Sequence, residues 1–242
     1  MTHLYLIRHG QAMSAARNTL GNTGLSPLGI TQAERLRDRL AATGEIAADV
    51  LIASTMQRAK ETAEIIAPAL GLPLLFDSEV EEWRDGEAGN WTTEEFKARF
   101  NPVEAVQKPY IQIAPGAESW AQFMLRASTA LNRITNEYTG QTIVIVCHGG
   151  IVDCSFLTFL GLSILQLPRA FFNTHNTSIT HWYKGSFEDL PTSWILESYN
   201  DVMHLRDIGT PASIPWRGLA VKPVIGKEQA HVPTEAEEAE AE

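Results

Sequence analysis

Thr142-Ile143-Val144-Ile145-Val146-Cys147-His148-Gly149-Gly150 is the stretch whose reading decides the fold. Its first part is an unbroken β-branched, apolar run with no polar alternation. Such a run fits a strand buried on both faces, as in a parallel sheet covered by helices. The run stops at a histidine and two glycines, and Ile151 to Leu160 then reads as a helix. The same construction stands at the start of the chain: Leu4 to Ile7 is a short apolar run that ends at Arg8-His9-Gly10.

Working outward, Ser26-Pro27 reads as a helix start, serine as cap and proline in the first turn. Ile30, Ala33, Leu36 and Leu40 follow at helical spacing up to Gly44. Val50 to Ala53 reads as a strand, and Ala59, Ala63, Ile66 and Leu70 mark a helix closed by Gly71. Leu72 to Phe76 reads as a third strand. Residues 77–118 are irregular and read as an inserted cap with one helix near Thr93 to Phe100. Ser119 and Gln122 form a capping box for a helix carrying Phe123, Ala127, Ala130, Leu131, Ile134 and Tyr138. Ser178 to Tyr183 and Trp194 to Tyr199 read as a late antiparallel pair of strands. Strands alternating with helices predict an α/β fold: a three-layer α/β/α sandwich, mostly parallel, with an antiparallel edge and an inserted cap. The predicted division is one domain over residues 1–226 and an acidic, disordered tail over 227–242, whose last nine residues hold five acids.

The formal charge of −10 excludes the strongly basic footprint of nucleic-acid binding. No apolar run approaches the roughly 20 residues of a membrane helix, and Arg8 arrives too early for a signal peptide. The two cysteines, Cys147 and Cys154, lie in apolar stretches and read as buried thiols. A reducing cytoplasmic compartment is the expectation. Oligomeric state is not legible.

Ligands of parallel α/β sheets bind beyond the carboxyl ends of the strands. His9 and His148 each follow a buried strand and precede a glycine, so both are expected to face one crevice. Either alone would read as a loop residue. Arg8 adjoins His9, and Arg58 follows the strand Val50 to Ala53. Alone, Arg58 would read as a surface helix residue. Two arginines and two histidines gathered from three strand ends point to an anion, and a guanidinium fork matches phosphate oxygens.

These residues carry a family resemblance. Leu6-Ile7-Arg8-His9-Gly10, Leu25-Ser26-Pro27-Leu28-Gly29-Ile30-Thr31-Gln32-Ala33-Glu34, Ser54-Thr55-Met56-Gln57-Arg58-Ala59-Lys60-Glu61-Thr62 and Val146-Cys147-His148-Gly149-Gly150 resemble the histidine phosphatase (phosphoglycerate mutase-like) superfamily. Asn200-Asp201-Val202-Met203-His204-Leu205 is similar to its usual ending, and the likeness runs from about Leu4 to Leu205. The resemblance implies a metal-independent phosphomonoesterase acting on a phosphorylated small molecule, without a cofactor. His9 would be the nucleophile that becomes phosphorylated. Arg8, Arg58, His148 and Gly149 would hold the phosphoryl group. A neutral imidazole is a good in-line nucleophile, and fixed cations stabilise the transferred group. No Cys-x-x-Cys or His-Glu-x-x-His pattern announces a metal site.

The family places a glutamate, the proton donor to the leaving oxygen, four residues before a glycine. Glu82 with Gly86 fits. The usual Gly-x-Trp matches Gly89-Asn90-Trp91, which implies an insertion and keeps Glu81, Asp85 and Glu87 as rivals. Where many members carry an asparagine six residues after the nucleophile, this chain has Ala15. Gln11 and Asn18, with Ser14 and Arg17, are the substitutes for that phosphate contact. Trp83, Arg84 and Trp91 either contact the organic part of a substrate or belong to the core. His175, Asn176, His181 and His204 read as structural. Two other functions fit the same residues. One is a cofactor-dependent mutase, disfavoured by the modest, mixed-charge insertion over 84–118. The other is a non-catalytic phosphate-binding module, disfavoured because all four core residues are present.

Overall fold

A computed structural model describes residues 1–100, 107–165, 172–185 and 193–208. The acidic tail expected over 227–242 lies outside them, as does the end of the domain expected to reach residue 226. Six strands run in chain order: β1 (Thr2–Arg8), β2 (Val50–Ser54), β3 (Leu74–Asp77), β4 (Thr142–Cys147), β5 (Ile179–Gly185) and β6 (Ser193–Asp201). They form one sheet in the order β3-β2-β4-β1-β5-β6. β1, β2, β3 and β4 pair in parallel, and β5 and β6 pair antiparallel at one edge. The expected three-layer α/β fold with an antiparallel edge is therefore the observed one.

The helices are α1 (Met13–Ala16), α2 (Pro27–Thr43), α3 (Gln57–Leu70), α4 (Thr93–Arg99), α5 (Trp120–Glu137) and α6 (Gly149–Phe159). Local chemistry sets their ends. The Ser26 hydroxyl accepts from the Gly29 amide at 3.1 Å and Pro27 opens the first turn of α2. Gly44 and Gly71 close α2 and α3 in the left-handed region. Ser119 and Gln122 make the reciprocal capping box of α5, as expected, and Thr92 with Glu95 makes another on α4.

Two differences from the sequence reading are physical. The third strand begins at Leu74 rather than Leu72, because Pro73 has no N–H to give a ladder. α6 begins at Gly149, directly after His148, rather than at Ile151. Glycine's weak helix propensity hides that first turn from periodicity.

Strand alternation divides the core. Leu4, Leu6, Ile143, Ile145 and Cys147 face α5 and α6, with Phe123, Met124, Leu131 and Ile151. Ile7, Val144, Val146 and Leu51 face α2 and α3, with Leu36, Ala59, Ala63 and Ile66. Every strand central to the sheet is thus buried on both sides, which is why its sequence shows no alternation. The inserted segment adds 3-10 turns at Ser78–Val80 and Gly86–Asn90 before α4. Trp83 belongs to the core: it is 9% exposed and stacks on Phe123 at 6.2 Å. Arg84 pairs with Glu81 at 2.9 Å, and Trp91 lies under Arg99 at 4.4 Å.

Candidate active site

β1 and β4 are parallel neighbours in register, Arg8 opposite Cys147. The residues that follow, His9 and His148, therefore leave the sheet side by side. The His9 amide donates to the Cys147 carbonyl at 2.9 Å, and the two imidazole centroids stand 5.0 Å apart. β2 flanks β4 on its other side, and the first turn of α3 beyond it carries Arg58. Arg58 Nε donates to His9 Nε2 at 3.0 Å. The expected convergence of His9, His148 and Arg58 is present, and all three are buried.

The imidazole tautomers follow from their partners. His9 Nδ1 lies 2.6 Å from the Gly10 carbonyl, which can only accept, so Nδ1 carries the proton. His9 Nε2 then presents a lone pair, the one that Arg58 Nε reaches. Ser54 Oγ accepts from the Met56 amide at 3.2 Å and lies 2.8 Å from His148 Nε2, to which its own hydroxyl can donate. With that donation the His148 proton is on Nδ1, a buried atom with no hydrogen-bond partner among the described residues. Burial, and then the positive charge of Arg58 and neighbouring groups, holds both histidines well below the ordinary imidazole value. Both are neutral at neutral pH. Burial also lowers the pKa of Arg8 and Arg58, but a guanidinium stays charged.

Arg8 closes β1 on the α6 side of the sheet. It donates to the Thr174 carbonyl, and Gly149 passes close enough that a Cβ there would sit 3.7 Å from Arg8 Nε. Glu82 reaches the first turn of α6: its Oε2 accepts the Gly150 amide at 3.1 Å, and a Cβ on Gly150 would meet Glu82 Oε1 at 2.2 Å. Glycine is what lets this carboxylate approach the helix end, where it completes the dipole. Among the rival acids, Glu81 is engaged by Thr55 and Arg84, and Glu87 is exposed. Asp85 is pushed up to about 6 by burial, against the pull of Arg58.

The other sequence candidates are engaged with other partners. The Gln11 amide oxygen accepts from Ser26 Oγ at 2.7 Å, so it supports the start of α2. Asn18 is exposed with φ 55°, in a turn whose carbonyl accepts from Thr93 at 2.9 Å. His175 bonds Asn200 at 2.8 Å, His181 bonds His3 at 3.0 Å, and His204 bonds Thr177 at 3.0 Å, as expected of structural groups.

Of the residues that support the site, Asn176 reads as structural in the sequence, and Thr62 and Ser54 have no separate role legible there. Asn176 donates to the His9 carbonyl at 2.9 Å. Thr62 accepts from the Gly10 amide at 3.0 Å, and Ser54 Oγ bonds His148 Nε2 at 2.8 Å. The one available signal was polar residues in otherwise apolar stretches. Gly10 and Gly29 also have a joint reason. A Cβ on Gly10 would strike the Gly29 carbonyl at 2.5 Å, and one on Gly29 the Gln11 carbonyl at 2.1 Å, so the chain leaving β1 can pass α2 only on bare backbone.

Comparison with known proteins agrees with this geometry. Residues 4–194 match the histidine phosphatase superfamily, branch 1. A protein named probable phosphoglycerate mutase from Salmonella paratyphi C is 31% identical over 213 residues, covering 85% of this chain and 95% of that protein. A phosphoserine phosphatase from Entamoeba histolytica, solved with 3-phosphoglyceric acid, superposes with a TM-score of 0.68 at 24% identity, covering 85% of this chain and 100% of that one. A mycobacterial glucosyl-3-phosphoglycerate phosphatase superposes with a TM-score of 0.67 at 21% identity, covering 82% and 98%. With its two strand-end histidines in register and nearly its whole described length matched, the chain belongs to branch 1 of the histidine phosphatase superfamily.

Proposed function

We propose that this enzyme is a phosphomonoesterase that hydrolyses a phosphorylated small molecule through a phosphohistidine on His9. The observation that carries the reading is the prepared nucleophile: a neutral His9 whose Nδ1–H is spent on Gly10 and whose Nε2 lone pair lies 3.0 Å from a guanidinium N–H. A phosphoryl oxygen would take that N–H in place of the imidazole, and Nε2 would attack phosphorus in line with the leaving oxygen. Arg8, Arg58 and His148 Nδ1–H would donate to the equatorial oxygens. Glu82 would protonate the leaving oxygen as the P–O bond breaks. The resulting carboxylate would then take a proton from the water that cleaves the N–P bond, releasing phosphate and restoring His9.

In this reading residues 1–226 form the catalytic domain, and the insertion over 77–118 selects the substrate. Both cysteines are free and buried, which supports action in the cytoplasm. Among the described residues, no helix is long and apolar enough to cross a membrane.

Rapid quenching during turnover of p-nitrophenyl phosphate tests the intermediate. We expect a phosphoenzyme that is acid-labile and base-stable, absent in His9→Asn. Full loss of turnover in EDTA, restored by a divalent metal, would sink the mechanism. The 31% identity to a probable phosphoglycerate mutase supports a second reading, phosphotransfer between hydroxyls. Isomerisation of 3-phosphoglycerate that depends on bisphosphoglycerate would establish it.

A further inference from the structure

Arg126 lies on α5 and touches none of the phosphoryl-holding groups proposed above, yet it is only 7% exposed and all five of its N–H donors are engaged. Nε and Nη2 grip Glu118 Oε1 and Oε2, each at 2.7 Å, in a side-on fork. Nη1 donates to the carbonyls of Glu79 at 2.7 Å and Glu81 at 3.0 Å, and Nη2 to that of Glu82 at 3.2 Å. One guanidinium thus holds three main-chain carbonyls of the segment that carries Glu82. Glu118 completes the clamp from the other side. Its carboxylate accepts the Arg84 amide at 3.1 Å and its carbonyl the Trp83 indole N–H at 2.6 Å.

This segment needs such a partner. β3 ends at Asp77, a single 3-10 turn ends at Val80, and Glu81 is extended with φ −66° and ψ 156°. With no ladder beyond that point, its carbonyls would otherwise be unpaired next to the core. Charge adds a second demand. Arg8 and Arg58 both attract Glu82, yet no ion pair joins Glu82 to either among the described residues; its carboxylate stands at the Gly150 amide instead. A loop free to move would let that carboxylate fold onto an arginine, which would favour its ionised form and take an arginine from the phosphoryl group.

We propose that Arg126, backed by Glu118, is a positioning residue for proton transfer: it fixes the main chain of residues 79–82 so that Glu82 faces the leaving oxygen and stays off Arg8 and Arg58. The proposal rests on the reading of Glu82 as the general acid.

The test compares turnover of p-nitrophenyl phosphate, whose leaving group departs unaided, with a series of substituted phenyl phosphates ending at phenyl phosphate, whose leaving group needs a proton. Glu82→Gln, Arg126→Met, Arg126→Lys and Glu118→Gln are compared with the wild type, and thermal melting checks each for folding. In Glu82→Gln we expect kcat/KM to fall more steeply with leaving-group basicity. Arg126→Met is expected to share that pattern, with phenyl phosphate losing about tenfold or more relative to p-nitrophenyl phosphate, within the range of lost acid catalysis. Arg126→Lys keeps the charge without the fork and is expected to lie between. Glu118→Gln keeps Arg126 in place with a weakened partner, so it gives the answer if Arg126→Met does not fold. A steepened series in Glu82→Gln alone, with the Arg126 and Glu118 variants losing all substrates equally or none, overturns the proposal and leaves the acid in place. No steepening in Glu82→Gln removes the acid, and the proposal with it.

Discussion

At the scale of single residues, the site is built from buried groups whose protonation is set by what surrounds them. His9 and His148 are neutral because burial and two guanidiniums oppose a further positive charge. Asp153 is the counterpart among the acids. It lies one turn after Gly149 on α6, and its Oδ1 is buried with no hydrogen-bond partner among the described residues. Burial first, and the charge of Glu82 second, push its carboxyl up to about 8 despite Arg8. The sign follows by linkage. A folded-state pKa raised above the ordinary 3.8 gives a contribution to stability that is complete below 3.8 and lost as pH rises to about 8. Near neutral pH Asp153 therefore destabilises the fold. Asp153→Asn, nearly isosteric and never ionised, is expected to raise the melting temperature at about pH 7.5 and to change it little at about pH 4. Calorimetry at both values checks this, and a lower melting temperature at the higher pH would contradict it.

At the scale of elements, the first turn of α6 joins three parts of the protein. His148 precedes it, Glu82 accepts its Gly150 amide, and the Phe123 ring of α5 lies beneath. A Cβ on Gly150 would stand 2.2 Å from Glu82 Oε1 and 2.8 Å from Phe123 Cζ. Glu82 can swing away, but Phe123 is 1% exposed and fixed between neighbours. Alanine would improve helix propensity by about 1 kcal/mol, yet overpacking costs typically about 1–3 kcal/mol and decides the sign. Gly150→Ala is expected to lower stability by about 1–2 kcal/mol in urea unfolding. It is also expected to slow phenyl phosphate more than p-nitrophenyl phosphate, because Glu82 is expelled. At Gly149 the nearest atom to a new Cβ is Arg8 Nε at 3.7 Å, an ordinary contact, so Gly149→Ala is expected to leave the melting temperature within a degree or two.

At the scale of the whole molecule, the buried histidines tie stability to pH. His9 and His148 are held well below 6.5, and His204, chiefly by burial, at about 4. A depressed value means that the unfolded chain binds more protons than the folded one once pH falls below 6.5, so these groups stabilise the fold above 6.5 and the contribution is lost as pH falls toward their folded values. The melting temperature is expected to fall from about pH 6.5 to pH 5, opposed in part by the raised carboxyls of Asp153 and Asp85, and to fall less in His9→Asn, which removes one of the histidine protons taken up on unfolding. An unchanged slope in that variant would place the acid sensitivity elsewhere.

The sequence by itself determined the strand-helix order, the capping of α2 and α5, the antiparallel edge and the four groups Arg8, His9, Arg58 and His148. These follow from local rules: unbroken β-branched runs belong to doubly covered strands, serine and proline start helices, and residues just past parallel strands share one end of the sheet. The start of β3 at Leu74 follows from the same kind of rule, since Pro73 cannot donate to a ladder. The tertiary structure alone decided which acid meets the first turn of α6. In the sequence only the family spacing to Gly86 favours Glu82 over Glu81, Asp85 and Glu87, and a loop without a ladder has no period to read. Arg126 of α5 and Glu118 just before that helix, more than thirty residues later in the chain, bond the main chain around Glu82, and the missing Cβ of Gly150 leaves room for its carboxylate at the helix end. The same holds for Asn176, Thr62 and Ser54, which hold His9, Gly10 and His148 through contacts across the sheet. Hydrogen bonds between distant segments leave no periodic mark in a single sequence, whereas burial of a strand on both faces does.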